Sequence, residues 1–367
     1  MKTTIAISQA PHAPFELVEA DLDEPRADEV LVRIVASGLC HTDVSVRDLL
    51  PVEMFPRVFG HEGAGVVERV GADVTGVAVG DHVVLSFRSC RECAACRRGD
   101  VGYCEQSMML NYMGCRMDGS TTVQRDGAPV GASFFGQSSF ATYALAHPDN
   151  TVVVDKSYDL TRIAPFGCGF QTGAGAVLNV LQPDPDDTLA VYGAGAVGMA
   201  ALAAAKSLGV KTLIAVDLHP GRLETAQRLY GAIGVRGDAP GEAGLVARVK
   251  ELTGGAGANH AVDTTGVVGV VKDAVLALAP QGTLCTLALG APELTFDAID
   301  LFQNGKTIRG TMEGESDPQT MVPKLLAMAA AGTFEVDDLV TPYAFTDINA
   351  AIDDSLSGAA IKPVLTM

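Results

Sequence analysis

The rhythm of apolar and polar positions changes along this chain. Through the first 150 residues, short runs rich in β-branched side chains stand between turn signals: Val30–Val35, Gly65–Val70 and Val79–Leu85, with Val152–Val154 just beyond. Runs of that length and spacing predict a mainly antiparallel β barrel or sandwich. From about Thr188 short apolar strands (Leu189–Tyr192, Thr212–Val216, His260–Val262, Thr283–Leu289) alternate with helical patterns (Met199–Leu208, Arg222–Tyr230, Gly269–Leu278). Such alternation gives right-handed crossovers and a doubly wound parallel sheet. After Gly310 the pattern reverts, with a helix predicted at Met321–Ala331 and a closing strand at Ile361–Thr366 that would complete the N-terminal sheet. The fold class is therefore α/β: an antiparallel first part at 1–169, a nucleotide-type fold at 170–312, and a return segment at 313–367.

Composition narrows the function classes. A chain of 367 residues exceeds one ordinary core and implies two domains with a cleft between them. The net charge of −18 repels nucleic-acid phosphate and anionic membrane surfaces, so neither is expected as a partner. No uninterrupted apolar run approaches the ~20 residues that span a bilayer. The N-terminal residues carry no basic stretch followed by an apolar run, which predicts a cytoplasmic protein whose eight cysteines serve metal ligation rather than disulfides. Forty glycines without a fixed period mark turns and close backbone approaches.

Two motifs carry chemistry by spacing alone. Cys90, Cys93, Cys96 and Cys104 are separated by two, two and seven residues, which lets one loop wrap a tetrahedral cation. Four sulfurs leave no open position, so this site is structural. Gly193, Gly195 and Gly198 form G-x-G-x-x-G, with Ala196 and Val197 inside it, directly after a strand and before an Ala-rich helix. The next strand ends in Asp217, nineteen residues after Gly198, where a carboxylate accepts from an adenosine ribose and repels a 2′-phosphate. NAD is the expected dinucleotide. Arg222, in the following helix, is placed to pack on its adenosine end, whereas His219 reads as an exposed turn residue.

Cys40, His61 and Cys168 are the candidates for a second zinc, since two sulfurs and one imidazole leave a fourth position for water or substrate. Spacing does not by itself bring these three together. The chain nevertheless resembles a zinc-dependent medium-chain alcohol dehydrogenase end to end, a family known for this donor set, through CHTD, GHEGAG, the CxxCxxC loop, the GxGxxG unit and the closing IKPVL. FFGQSSFATYAL and IRGTMEGESDPQ are most similar to the benzyl, or aryl, alcohol dehydrogenase branch.

That resemblance implies a GroES-like catalytic domain and a Rossmann domain, two zinc ions per subunit, NAD, and a homodimer or homotetramer. It implies that Thr42 passes the alcohol proton toward solvent, Asp43 orients His61, Glu62 modulates ligand exchange, and His41 and Lys362 contact pyrophosphate. Ser45 stands where many animal members end the proton relay in a histidine, so the proton must leave through water, a ribose hydroxyl or His41. The substrate pocket is expected near Thr42, Leu85–Phe87, Met109–Met113 and Phe134–Phe135, suiting a benzylic or allylic primary alcohol. A strand at Glu293–Phe296 is expected to pair with its two-fold mate. Cys115, Cys285, His12, His82, His147 and His260 read as ordinary structural residues. The competing readings are a dehydrogenase of hydroxymethyl-thiol adducts, a zinc-containing C=C reductase, and a non-catalytic NAD-binding protein.

Overall fold

The computed structural model describes residues 1–238 and 244–367. The chain divides into two compact units: Met1–Cys168 with Asp317–Leu326 and Asp337–Met367, and Gly169–Ser316 with Ala327–Val336.

The first unit contains two sheets. One runs Arg57–Val58, Lys2–Ser8, Glu16–Leu22, Val123–Arg125, Ala128–Val130, each strand antiparallel to the next. The other runs Thr151–Val154, His82–Leu85, Gly63–Val70, Val30–Gly38, Lys362–Thr366, Val340–Ala344, with Tyr143–Ala146 also on Val30–Gly38. Only Val340–Ala344 and Lys362–Thr366 pair in parallel. The closing strand lies antiparallel on Val30–Gly38, Val364 opposite Gly38, so the C-terminal residues complete a sheet begun near residue 30. Val30, Val32, Ile34, Val67, Val83 and Leu85 pack into one apolar cluster; the period-two alternation of these strands turns those side chains to one face. A second cluster is built on Ile5, Ile7 and the rings of Phe15, Phe59, Phe134 and Phe140.

The second unit is a six-stranded parallel sheet in the order Ile233–Arg236, Thr212–Asp217, Thr188–Tyr192, Ala258–Asp263, Leu278–Thr286, Thr307–Gly310. This is the 3-2-1-4-5-6 order whose reversal beside the first strand opens a crevice for a dinucleotide. All of Thr188–Tyr192 is buried, as expected of a central strand covered on both faces. The helix Ala196–Ser207 is buried from Gly198 to Ala205, and its small side chains let it lie close to the sheet. Pro220 opens the helix Pro220–Tyr230, and Gly231, at φ 70°, ends it in the left-handed conformation.

The segment Glu293–Phe296 is not a strand. Leu294 and Phe296 pack on the core of the second unit instead, and Thr307–Gly310 forms the sheet edge. Among the described residues no helix is long and apolar enough to cross a membrane.

Candidate metal centres and dinucleotide loop

Cys40 directly precedes the helix His41–Leu49, and its backbone N–H donates to the Asp43 carboxylate at 3.0 Å. The other Asp43 oxygen accepts from the Gly60 N–H at 3.0 Å and lies 2.8 Å from His61 Nδ1. One buried carboxylate thus fixes two chain segments that approach from different directions. The His61 ring is wedged against Phe135 at 4.5 Å and Phe134 at 5.5 Å between centroids. Cys168 follows the turn Ala164–Gly167, which is pressed against the strand His82–Leu85: a Cβ on Gly167 would lie 2.1 Å from the Leu85 carbonyl oxygen.

This packing brings donor atoms of Cys40, His61, Glu62 and Cys168 within 4.8 Å of one another. His61 is fully buried and its Nε2 has no hydrogen-bond partner, an arrangement that is costly unless a cation takes the lone pair. The Cys40 thiol is held well below the usual range by the Cys168 thiol and by His61 and Lys362, against the opposing effect of burial. Burial lifts the Glu62 carboxyl to about 7, with Cys40 adding to the shift and Lys362 opposing it. A crowded, negatively charged, water-poor donor set of two sulfurs and an imidazole fits zinc.

Glu62 is paired with Lys362, whose ammonium also donates to the Leu39 carbonyl at 3.1 Å. Lys362 is only 1% exposed. It faces inward onto Glu62. Gly38 makes room for this pair, since a Cβ there would sit 1.9 Å from Glu62 Oε2. Thr42 and Ser45 are half-buried, and His41 is exposed.

Sequence reasoning gave Gln137 no role, although it lies in the quoted FFGQSSF stretch. Its Oε1 accepts from Gly63 N–H at 3.0 Å, while Nε2 donates to the carbonyls of His61 at 3.0 Å and Ser86 at 2.9 Å. A fully used, buried amide thereby sets the backbone on both sides of Glu62. Of the expected pocket residues, Tyr112 stacks edge-on against Phe135 at 5.3 Å and Phe134 at 6.1 Å. Leu85, which ends the strand His82–Leu85, and Ser86 just beyond it are buried, and the Ser86 hydroxyl donates to the Gly167 carbonyl at 2.5 Å.

The four sulfurs of Cys90, Cys93, Cys96 and Cys104 also lie within 4.8 Å of one another. Backbone N–H groups point at them: Cys93 to the Cys90 sulfur and Cys90 to the Cys104 sulfur, both at 3.2 Å. N–H groups of Cys96 and Glu105 draw the Cys93 thiol down, whereas burial and the neighbouring sulfurs push Cys96 up. Four thiols this close cannot all ionise without a cation among them. Arg91, within the loop, anchors it to Asp317 through two bonds of 2.6 and 3.0 Å.

At the dinucleotide loop, Gly193 has φ 93°, and a Cβ on Gly198 would stand 1.9 Å from the Gly193 carbonyl oxygen, so both positions exclude larger residues. Asp217 accepts from the Ala194 N–H at 2.7 Å and the His219 N–H at 2.8 Å, with Arg222 at 3.8 Å. The carboxylate that ends the second strand is thereby tied to the glycine turn, a cradle that fits the adenosine and pyrophosphate of NAD.

A doubly wound dinucleotide fold joined to an antiparallel unit that gathers two sulfurs and an imidazole defines a zinc-binding dehydrogenase. Residues 26–156 match the family described as "Alcohol dehydrogenase GroES-like domain", and residues 196–331 match "Zinc-binding dehydrogenase". The chain belongs to the zinc-dependent medium-chain alcohol dehydrogenases, oxidoreductases that use zinc and NAD. It is 41% identical to a geraniol dehydrogenase of Castellaniella defragrans over 355 residues, 96% of this chain and 94% of that one. An alcohol dehydrogenase zinc-binding domain protein from Burkholderia ambifaria superposes with a TM-score of 0.95 at 43% identity, covering 100% of this chain and 99% of that one. The benzyl alcohol dehydrogenase of Acinetobacter calcoaceticus gives 0.93 at 40% identity, with the same coverage.

Proposed function

We propose that this enzyme interconverts a primary aromatic or allylic alcohol and its aldehyde. The observation that carries the reading is the aromatic wall of Tyr112, Phe134 and Phe135 built directly against the His61 ring, where a flat, electron-rich substrate gains ring contacts that ethanol cannot make. The names of two relatives, a geraniol and a benzyl alcohol dehydrogenase, support the same substrate class.

In this reading Cys40, His61 and Cys168 hold the catalytic zinc, Cys90, Cys93, Cys96 and Cys104 hold a structural one, and Gly193–Gly198 with Asp217 hold NAD. When bound, zinc and NAD supply Lewis-acid polarisation of the alcohol oxygen and a hydride acceptor. Asp43 fixes the His61 tautomer and ring direction through its contact at Nδ1. Thr42, two residues beyond Cys40 and half-buried, receives the alcohol proton and passes it to water. Phe134 and Phe135 exclude water from the face of His61. His41, exposed at the first position of the helix His41–Leu49, is the candidate pyrophosphate contact, and the Glu62–Lys362 pair keeps a balanced charge beside the donor cluster.

The exposed side chains of Leu289, Ile299 and Phe302, the last 84% exposed, support self-association as a homodimer or homotetramer. Eight free cysteines support a reducing, cytoplasmic setting.

Initial rates of NADH formation over benzyl alcohol, geraniol, ethanol and the glutathione adduct of formaldehyde test the assignment, with zinc measured on the same sample. The expected result is a kcat/KM for benzyl alcohol or geraniol about 100-fold above ethanol, the worth of one buried aromatic ring. A preference for the adduct or for ethanol would overturn it. Thr42→Ser is expected to keep turnover and Thr42→Ala to lower kcat by about 100-fold, the usual size of a lost proton-transfer step.

A further inference from the structure

Cys40 and His61 are joined through the Asp43 carboxylate, whereas Cys168 arrives from a separate turn, Ala164–Gly167. A hydrogen-bonded path also runs from His61 to that turn. Gln137 Nε2 donates to the carbonyls of His61 at 3.0 Å and Ser86 at 2.9 Å, and the Ser86 hydroxyl donates to the carbonyl of Gly167, the residue before Cys168, at 2.5 Å. Gln137 is 2% exposed and Ser86 0%, so bulk water does not compete for these bonds. The amide has one usable orientation: Oε1 accepts from the Gly63 N–H at 3.0 Å, and a flip would set oxygen against two carbonyls and the amide NH2 against an N–H. Nor can its backbone retreat. Phe135, Gly136 and Ser138 around it have φ of 51°, 67° and 52°, a left-handed stretch that the two larger side chains resist unless the surroundings hold it. The hold comes from Asn150 Nδ2, within 3.3 Å of the carbonyls of Ser86, Phe135 and Gly136, and from the Ser138 hydroxyl, which donates to the Val58 carbonyl at 2.8 Å. Two buried amides thus converge on the Ser86 carbonyl, midway along the path.

We infer that Gln137 and Ser86 are positioning residues for the metal centre, a brace that sets the spacing between His61 and Cys168 before an ion arrives. The inference rests on the reading of Cys40, His61 and Cys168 as the catalytic zinc ligands. Neither brace residue supplies a donor to the cluster; each acts through the backbone beside a ligand, Gln137 on the His61 carbonyl and Ser86 on the Gly167 carbonyl. An imidazole and a sulfur carried by separate segments would otherwise have to be ordered at the moment of binding, which weakens affinity, and a brace already made in the folded chain removes that cost. Asp43 aims the imidazole ring itself, so the two devices are distinct: one sets ring direction, the other the distance between segments.

The test loads cobalt(II) in place of zinc, because a centre with two sulfurs and one with four absorb differently and the four-sulfur loop then serves as internal reference. Gln137→Met keeps the length of the side chain and makes none of its three bonds; Ser86→Ala removes only the hydroxyl and carries the test if the methionine variant does not fold. Each is expected to shift the two-sulfur bands, to leave the four-sulfur bands in place, and to lower zinc affinity at the two-sulfur centre about tenfold in chelator competition. A merely structural lesion would loosen both centres alike. Unchanged two-sulfur bands and affinity, or an equal loss at both centres, would overturn the inference and leave the ligand assignment standing. A wild type that takes up only the loop ion would overturn the assignment, and the inference with it.

Discussion

Asp43→Asn isolates the link between the protein scaffold and the His61 ring. The wild-type carboxylate takes three donors from the protein: Gly60 N–H and His61 Nδ1 on one oxygen, Cys40 N–H on the other. Asparagine keeps the shape but has one oxygen. If that oxygen stays toward Gly60 and His61, its amide group faces the Cys40 N–H, donor against donor. If it turns over, Gly60 and His61 lose their acceptor instead. Either way at least one charge-assisted bond is lost, about 1.5–3 kcal/mol, and at least one buried N–H is left unfilled, about 1–3 kcal/mol. A total near 3 kcal/mol corresponds to about two decades in an equilibrium constant.

Part of that loss falls on folding and part on the metal, because the imidazole becomes a weaker and less well-aimed donor. Zinc affinity is expected to fall by about 10- to 100-fold. Competition with a colorimetric chelator, read against kcat/KM for the preferred alcohol, separates the two contributions. Faster zinc release together with a proportionate loss of turnover is the expected outcome. An asparagine variant that keeps its zinc and its rate within a factor of about two would show that Asp43 neither aims nor strengthens the imidazole.

Asp217→Gly removes the acceptor at the end of the second dinucleotide strand and is expected to raise the KM for NAD by about 10- to 100-fold while improving relative use of NADP, read from the two cofactor saturation curves. Arg116 is buried with Glu29, which it contacts at 2.6 and 3.0 Å, so Arg116→Met strands a buried carboxylate and is expected to cost about 3–5 kcal/mol in denaturant unfolding. Burial and Arg88 hold His147 below the ordinary imidazole range, against the pull of Asp149 and Asp28. Its folded pKa being depressed, the unfolded chain binds the proton first as pH falls, so its contribution is present at neutral pH and is lost on acidification below about 6.5. His147→Phe should therefore flatten the acid side of a melting-temperature profile, and an unchanged slope would rule this residue out as its source.

Local features were the legible ones. The cysteine quartet and the glycine loop each lie within fifteen residues or fewer, so spacing alone states which groups meet. The strands rich in Val and Ile were legible too, but Lys2–Ser8 and Glu16–Leu22 were not. Their sequences, KTTIAIS and ELVEADL, are broken by charged and hydroxyl side chains, so neither offers the Val- and Ile-rich run that marked the other strands. Glu293–Phe296 failed for the opposite reason: its apolar residues satisfy a strand pattern, yet packing Leu294 and Phe296 inward against the core of the second unit uses them without any ladder.

Long-range closure is the part that periodicity cannot carry. The convergence of Cys40, His61 and Cys168 followed from family resemblance, and nothing in the spacing between them would have supplied it. The same holds for Lys362, whose pairing with Glu62 nothing in the closing motif IKPVL announces. Its strand pairs beside Gly38, so the ammonium arrives over Leu39, next to the side chain of Glu62. A lysine buried to 1% would be expelled or neutralised without that carboxylate, and the carboxylate would be stranded beside two sulfurs without the lysine. Each is tolerable only because the other is there, and both fit only because position 38 lacks a Cβ. Gly38, Glu62 and Lys362, the last 300 positions beyond Glu62, thus form one constraint, which becomes visible only when the last strand is laid on the sheet.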